Sequence, residues 1–222
     1  LWLATYANGA YCYNVNEKKW TNYLHDENNP RSLPYDKVLS IFEDSHRQIW
    51  LTTQGGGFCK FHPETETFTS YDSRNGLPND VVYQIVEDKE GLMWLTTNNG
   101  LVSFQPATGA MKVYTTANGL LGEQFNYRSS FETEDGTIYL GSIDGFVAFN
   151  PKNFSENKSL PSIVITDFLL FGKEVYPGDP SSPLKKSINF LDELVLQPDQ
   201  NSFSFRVAAL DFQAPRMNQI MY

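Results

Sequence analysis

Cysteine and histidine are scarce in this chain, and long apolar runs and clustered positive charge are missing. Two cysteines and three histidines among 222 residues leave nothing at metal-ligand spacing. His25, His46 and His62 stand in predicted turns, outside any H-x-x-x-H or cysteine-rich pattern, so no metal site and no cofactor is expected. No stretch of about 18 apolar residues could cross a bilayer as a helix, and no charged-then-apolar leader marks a signal peptide. A formal net charge of −9 without a basic stripe removes the electrostatic footing for phosphate backbones and anionic bilayers. Nucleic acid is therefore excluded as a partner. Helix signals are nearly missing, and there is no G-x-S-x-G elbow, nucleotide loop or EF-hand pattern. An empty catalytic inventory favours a binding or sensing module over an enzyme.

What the chain does have is a repeat. Ile49-Trp50-Leu51-Thr52-Thr53-Gln54-Gly55-Gly56 returns as Met93-Trp94-Leu95-Thr96-Thr97-Asn98-Asn99-Gly100, with weaker echoes at Trp2 and Tyr139. The steps Trp2 to Trp50, Trp50 to Trp94 and Trp94 to Tyr139 are 48, 44 and 45 residues, the period of a four-stranded propeller blade. Flanking positions recur with them, among them Phe61 and Phe104, Pro63 and Pro106, Tyr71 and Tyr114, and Gly76-Leu77 and Gly119-Leu120. In the second repeat, strands are predicted over 38–43, 48–53, 58–61 and 67–71, with turn residues between them. The fold class is all-β, with about three to four blades of a larger β-propeller over residues 1–154. Leu1-Trp2-Leu3 opens inside a repeat, so a piece of a larger protein is expected.

The conspicuous residues have plain structural roles in such a blade. Gly55-Gly56-Gly57 is a hairpin turn and not a phosphate cradle, because no helix or Lys-Ser/Thr follows. Trp50 and Trp94, once per blade on the second strand, fill the gap between blades. Glu43-Asp44 and Glu87-Asp88 recur just before the turn into that strand, which marks them as turn residues, not acid/base pairs. Cys12 and Cys59 sit one alignment position apart on equivalent strands, so strand alternation turns them to opposite faces and two free, buried thiols are expected.

After Pro151-Lys152-Asn153-Phe154 the period stops. A polar linker over 155–160 precedes two alternating apolar segments, Ile163 to Phe171 and Phe203 to Ala209, which read as part of a β-sandwich domain over 161–222. On the propeller part, the loops entering the innermost strand and those joining the second and third strands share one rim. That rim carries Gln54, Arg74, Asn75, Asn79, Asp80, Asn98, Asn99, Gln124, Asn126 and Asp144, whose amides and carboxylates suit the hydroxyl pattern of a neutral sugar. They are the candidate ligand-binding residues. The overall negative charge disfavours a polyanionic glycan.

The unit I-x-E-D-x-x-G-x-x-W-L-x-T-x-x-G-G-x-x-x-F-x-P, closed by Y-x-x-x-x-G-L, resembles the two-component regulator propeller repeat. The segment from Phe125-Asn126 to Phe149-Asn150-Pro151 looks like its last blade. Asn201-Ser202-Phe203-Ser204-Phe205 and Ala208-Ala209-Leu210-Asp211-Phe212 are similar to the start of the Ig-like domain, named for its three tyrosines, that follows such propellers. The resemblance implies a ring of about seven blades and the periplasmic sensor region of an inner-membrane hybrid two-component histidine kinase of the Bacteroidetes type. It further implies glycan breakdown products as signal, the rest of the same protein as partner, and a homodimer in the complete receptor. Two rivals stay open. A propeller enzyme of the streptogramin-lyase type would need a histidine or carboxylate at the central funnel, and a passive protein-interaction propeller would bind no sugar.

Overall fold

The computed structural model describes residues 1–153, 162–180 and 182–210, which fall into two compact units, Leu1–Ser155 and Glu156–Tyr222. The linker reading over 155–160, and Asp211-Phe212 in the Ig-like resemblance, lie outside the described residues. The first unit is four antiparallel sheets in chain order. They are β1 (Trp2–Ala4), β2 (Ala10–Asn14) and β3 (Lys19–Tyr23); β4 (Val38–Glu43), β5 (Ile49–Thr53), β6 (Phe58–His62) and β7 (Thr67–Tyr71); β8 (Val82–Glu87), β9 (Met93–Thr97), β10 (Leu101–Gln105) and β11 (Ala110–Tyr114); and β12 (Phe125–Glu132), β13 (Ile138–Ser142) and β14 (Gly145–Phe149). The first strands of the second, third and fourth sheets, β4, β8 and β12, run beside one another, as the inner strands of a propeller do. No α-helix occurs among the described residues. His62, expected in a turn, ends β6 instead, where its Nε2 pairs with Thr69 Oγ1 at 2.7 Å.

The blades stack so that the second and third sheets are covered on both faces. All five residues of β9 are buried, and so are Trp50 to Thr53 of β5. Placing threonines there requires hydroxyl partners. Thr53 and Thr97 donate to the carbonyls of Gly57 and Gly100 at 2.9 and 2.7 Å, and Thr52 donates to Tyr83 O in the next blade at 3.3 Å. Between blades runs an edge-to-face aromatic ladder: Trp2 on Phe61, Trp50 on Phe104 and Trp94 on Phe149, with centroids at 4.8, 5.6 and 4.7 Å.

The carboxylates before the Trp strand hold this ladder. Asp44 Oδ1 accepts from the amides of His46 and Gln48, and its Oδ2 accepts from the Trp50 indole at 2.9 Å. Asp88 does the same for Glu90, Leu92 and the Trp94 indole. In the fourth sheet both members change together: Thr133 stands in the Asp column and Tyr139 in the Trp column. Tyr139 is 39% exposed, against 1% for Trp50 and for Trp94. The inter-blade role therefore holds at Trp50 and Trp94 and is unfilled at Tyr139, whose face also carries exposed Phe131 and Phe146. At the other end of the stack, Leu3 and Trp20 are exposed in the same way.

The two thiols are unpaired, Cys59 buried and Cys12 only half-buried. The expected opposite faces are real, but the sheets are adjacent, so both side chains turn toward one interface. Cys12 lies opposite Trp2, which packs on Phe61, and Cys59 lies opposite Leu51 in the same cluster. Burial pushes both thiols up from the ordinary value. A thiol titration of denatured, unreduced protein is expected to find two thiols per chain. In native protein Cys12 is expected to label first, faster as pH rises, and Cys59 only on unfolding. Loss of both thiols before reduction would show a bridge across the blade interface.

The second unit is a β domain built on β15 (Ser162–Leu170), β16 (Lys173–Glu174) and β17 (Phe203–Leu210), ordered β16-β15-β17 and antiparallel. A bulge between Ile165 and Asp167 frees the Ile165 backbone, and the Asn189 side chain bonds both its N–H and its carbonyl, at 2.9 and 2.6 Å. Phe168, Leu170 and Leu184 form its core with Ile188, Leu191 and Leu196.

Candidate functional site

One rim of the propeller unit is stitched by a repeating backbone pattern. The turn between the second and third strands of each blade bonds the loop that enters the next blade. Gly9 N donates to Asp36 O, Gly57 N to Asp80 O and Gly100 N to Glu123 O, and beside them Gln54, Asn98 and Ile143 N–H groups donate to the carbonyls of Lys37, Val81 and Gln124. Gly57 has φ +69, and a Cβ there would fall on the Tyr71 carbonyl oxygen, as one at Gly9 would on Tyr23. Only glycine lets the chain pass.

The entry loops are built the same way twice. Ser73–Asn75 and Thr116–Asn118 are single 3-10 turns with reciprocal capping boxes, N-capped by Asp72 and Thr115 and closed by Gly76 and Gly119 in the left-handed region. Asp80 accepts from the Ser73 amide at 2.7 Å and from its hydroxyl, and Glu123 plays the same part for Thr116. This accounts for several candidate residues. Asn75 Oδ1 caps the Asp72 amide, Asn79 Oδ1 accepts from Val81 N, and Arg74 pairs with Asp72, which holds that carboxyl below its ordinary range. Their side chains are consumed by the turns they sit in. Asp144 packs on Gly122, where a Cβ would strike its carboxylate. Asn99 reaches Pro78 O at a long 3.4 Å, and Gln54 Oε1 is buried without a partner.

Two candidates converge on a residue that sequence reasoning missed, and a third lies nearby in the chain. Tyr83 Oη donates to Asn98 Oδ1 at 3.0 Å, and Gln124 hydrogen-bonds the same phenol. Burial first, then the neighbouring Tyr127, push the Tyr83 hydroxyl up, against the Gln124 bond, so it stays protonated at neutral pH. The Tyr127 ring meets Tyr83 edge-on at 4.6 Å. Asn126 Nδ2 donates to Ser142 O at 2.9 Å in the same strand entry. Tyr83, Asn98, Gln124, Asn126 and Tyr127 thus form one polar and aromatic cluster between the third and fourth blades. Chemically it offers amides, a neutral phenol and an exposed ring face, and no nucleophile–base pair. Around the rim by the second blade, Arg74, Asp72, Gly55, Gly56, Pro34 and His25 line an open groove of about 440 Å³.

Stacked antiparallel sheets of three and four strands with inner strands side by side define a partial β-propeller, here followed by a separate β domain. The family model described as two component regulator propeller matches residues 76–99 of the chain. It is similar to histidine kinase P4 of Formosa agariphila, 33% identical over an alignment that takes in 100% of this chain and 20% of that protein. The chain thus spans about a fifth of the length of that relative. The extracellular domain of the BT4673 system of B. thetaiotaomicron, described once as a hybrid two component and once as a one component system, shares the fold. Two of its crystal structures match with TM-scores of 0.56 and 0.57, at 18% and 17% identity, over 93% and 96% of this chain and 39% and 40% of theirs. No helix among the described residues is long and apolar enough to cross a membrane.

Proposed function

We propose that this chain is a ligand-sensing and signal-relaying part of a periplasmic receptor region, coupled through the rest of the same protein to a histidine kinase. The observation that carries this reading is the alignment of the whole chain with histidine kinase P4. In support, a neighbour of the same fold is named as the extracellular domain of a hybrid two component system, and the rim offers hydrogen-bonding groups with no hydrolytic constellation among the described residues. The chain itself is then no enzyme. The complete receptor works as a homodimer, its blades end near residue 154, and the β domain from about 161 is the start of an Ig-like domain that passes the signal toward the membrane. The ligand is an oligosaccharide released by glycan breakdown, held at the rim by Asn98, Gln124 and Asn126, with Gln54 and Asn99 beside them.

Calorimetric titration of the full-length protein with oligosaccharides of defined composition tests this. Binding is expected, and Asn98→Ala or Gln124→Ala is expected to weaken it by about fivefold to tenfold, the value of one neutral hydrogen bond. A panel of sugars that all fail to bind, with the protein folded, would leave the passive protein-interaction rival standing. Release of a new product would favour an enzyme.

A further inference from the structure

The innermost strand of the fourth blade departs from its counterparts. In β4 and β8 the bulge next to the rim is one residue, Leu39 and Tyr83. In β12 the register jumps from Phe125 opposite Ser142 to Ser130 opposite Leu140, so residues 126–129 stand against Gly141 alone. This loop-out is ordered by its own side chains. Asn126 Nδ2 takes the Ser142 carbonyl, Ser129 Oγ takes the Tyr127 carbonyl at 2.9 Å, and Ser129 lies so close over Gly141 that a Cβ there would sit 2.7 Å from its own. Bulges of this kind re-aim side chains at functional sites.

Two side chains are re-aimed here. Tyr127 is half-exposed with its edge on Tyr83, leaving a ring face to solvent. Arg128 is exposed at φ +49, the one non-glycine residue among the described residues that holds a left-handed φ inside a strand, the others lying in turns. Such strain persists only where the surroundings impose it, and it concentrates at binding sites. The guanidinium has no ion-pair or hydrogen-bond partner among the described residues.

A second departure from the preceding blade lies on the neighbouring strands. Gln84 and Thr96 are cross-strand partners on the face that Trp94 turns to the fourth blade. In the preceding blade the matching pair is satisfied: Ser40 and Thr52 bond each other, and Thr52 reaches the next inner strand. Here neither residue makes such a bond. Gln84 Nε2 and Thr96 Oγ1 are both buried without partners, Gln84 only 6% exposed. Buried donors left open like this are filled by a ligand or by ordered water.

We infer that the 126–129 bulge is the specificity element of the rim, and that it selects a sugar bearing one anionic group, a carboxylate or a sulfate. Arg128 grips the anion through its planar fork and Tyr127 stacks on the sugar ring. The net charge of −9 weighs against a polyanion but not against a single acidic group met by an unpaired guanidinium. This rests on the ligand-sensing reading above and replaces the neutral sugar with an acidic one.

The test compares three oligosaccharides of equal length on the full-length protein by calorimetry: one with a terminal uronate, one with a single sulfate, one neutral. Arg128→Asn removes the charge while keeping a residue that tolerates the left-handed conformation, and Arg128→Lys keeps the charge without the fork. The wild type is expected to prefer an acidic sugar, the uronate and sulfate arms telling which. Arg128→Asn should lower that affinity by about tenfold or more, Arg128→Lys by less, and neither should move the weak neutral binding. Equal binding of acidic and neutral sugars by the wild type, or an Arg128→Asn variant that melts like the wild type and binds acidic sugar as well, overturns this inference and leaves the sensor reading intact. No binding of any of the three overturns both.

Discussion

Gly57→Ala is expected to destabilise the propeller unit by about 3 kcal/mol or more, while Gly76→Ala costs about 1 kcal/mol, although both glycines hold a left-handed φ. The difference is what a methyl group would meet. At Gly57 it falls on the Tyr71 carbonyl oxygen, part of the backbone, and the turn cannot yield without breaking the Gly57 bond to Asp80. At Gly76 nothing lies within 4 Å, so only the backbone preference is lost. Urea unfolding of the two variants in parallel separates these terms. Equal losses would mean that the turn relaxes and that the repeated glycine column at Gly9, Gly57 and Gly100 reflects backbone angle alone.

Trp94→Ala carries the other large effect, about 3–5 kcal/mol for emptying a fully enclosed ring site between blades. Trp94→Phe is expected to cost about 1–3 kcal/mol, because a ring still meets Phe149 but the Asp88 carboxylate, 8% exposed, loses its indole donor. Tyr139→Phe, at the same repeat position without an aspartate behind it, should stay within about 0.5 kcal/mol. Denaturant midpoints decide the matter: a Trp94→Phe as mild as Tyr139→Phe would show that the aspartate serves its turn and not the ladder.

How much of this could be read from residues alone differs between scaffold and site. The second blade was legible to within a residue or two, Val38–Glu43 and Thr67–Tyr71 included, because alternation, glycine turns and a once-per-blade tryptophan all point the same way. Residue type misleads at the rim. Asn75, Asn79 and Asp80 look like sugar-binding groups, yet the physics that favours such side chains in turns has them bonding their own backbone. Tyr127 and Arg128 went unseen because strand register, not residue type, sets the bulge that carries them, and Tyr83 because an aromatic on an inner strand passes for core. A signal was present in the spacing: Val38 to Trp50 and Val82 to Trp94 are 12 residues, and Phe125 to Tyr139 is 14. Those two residues are the enlarged bulge. Likewise, alternation correctly separated the faces of Cys12 and Cys59, but only the order of the sheets reveals that opposite faces of neighbours look at each other.

The aromatic ladder has a direction. At each of the three interfaces between described sheets, a tryptophan-column ring of one blade rests on the phenylalanine of the next blade's third strand, so the two faces of a blade differ and a blade is not self-complementary. A copied blade that kept both rings would carry the main apolar contact of its interfaces with it, which makes the blade a unit of evolutionary growth. The local contacts leave blade number free, and only the angle at which the ring meets itself fixes it.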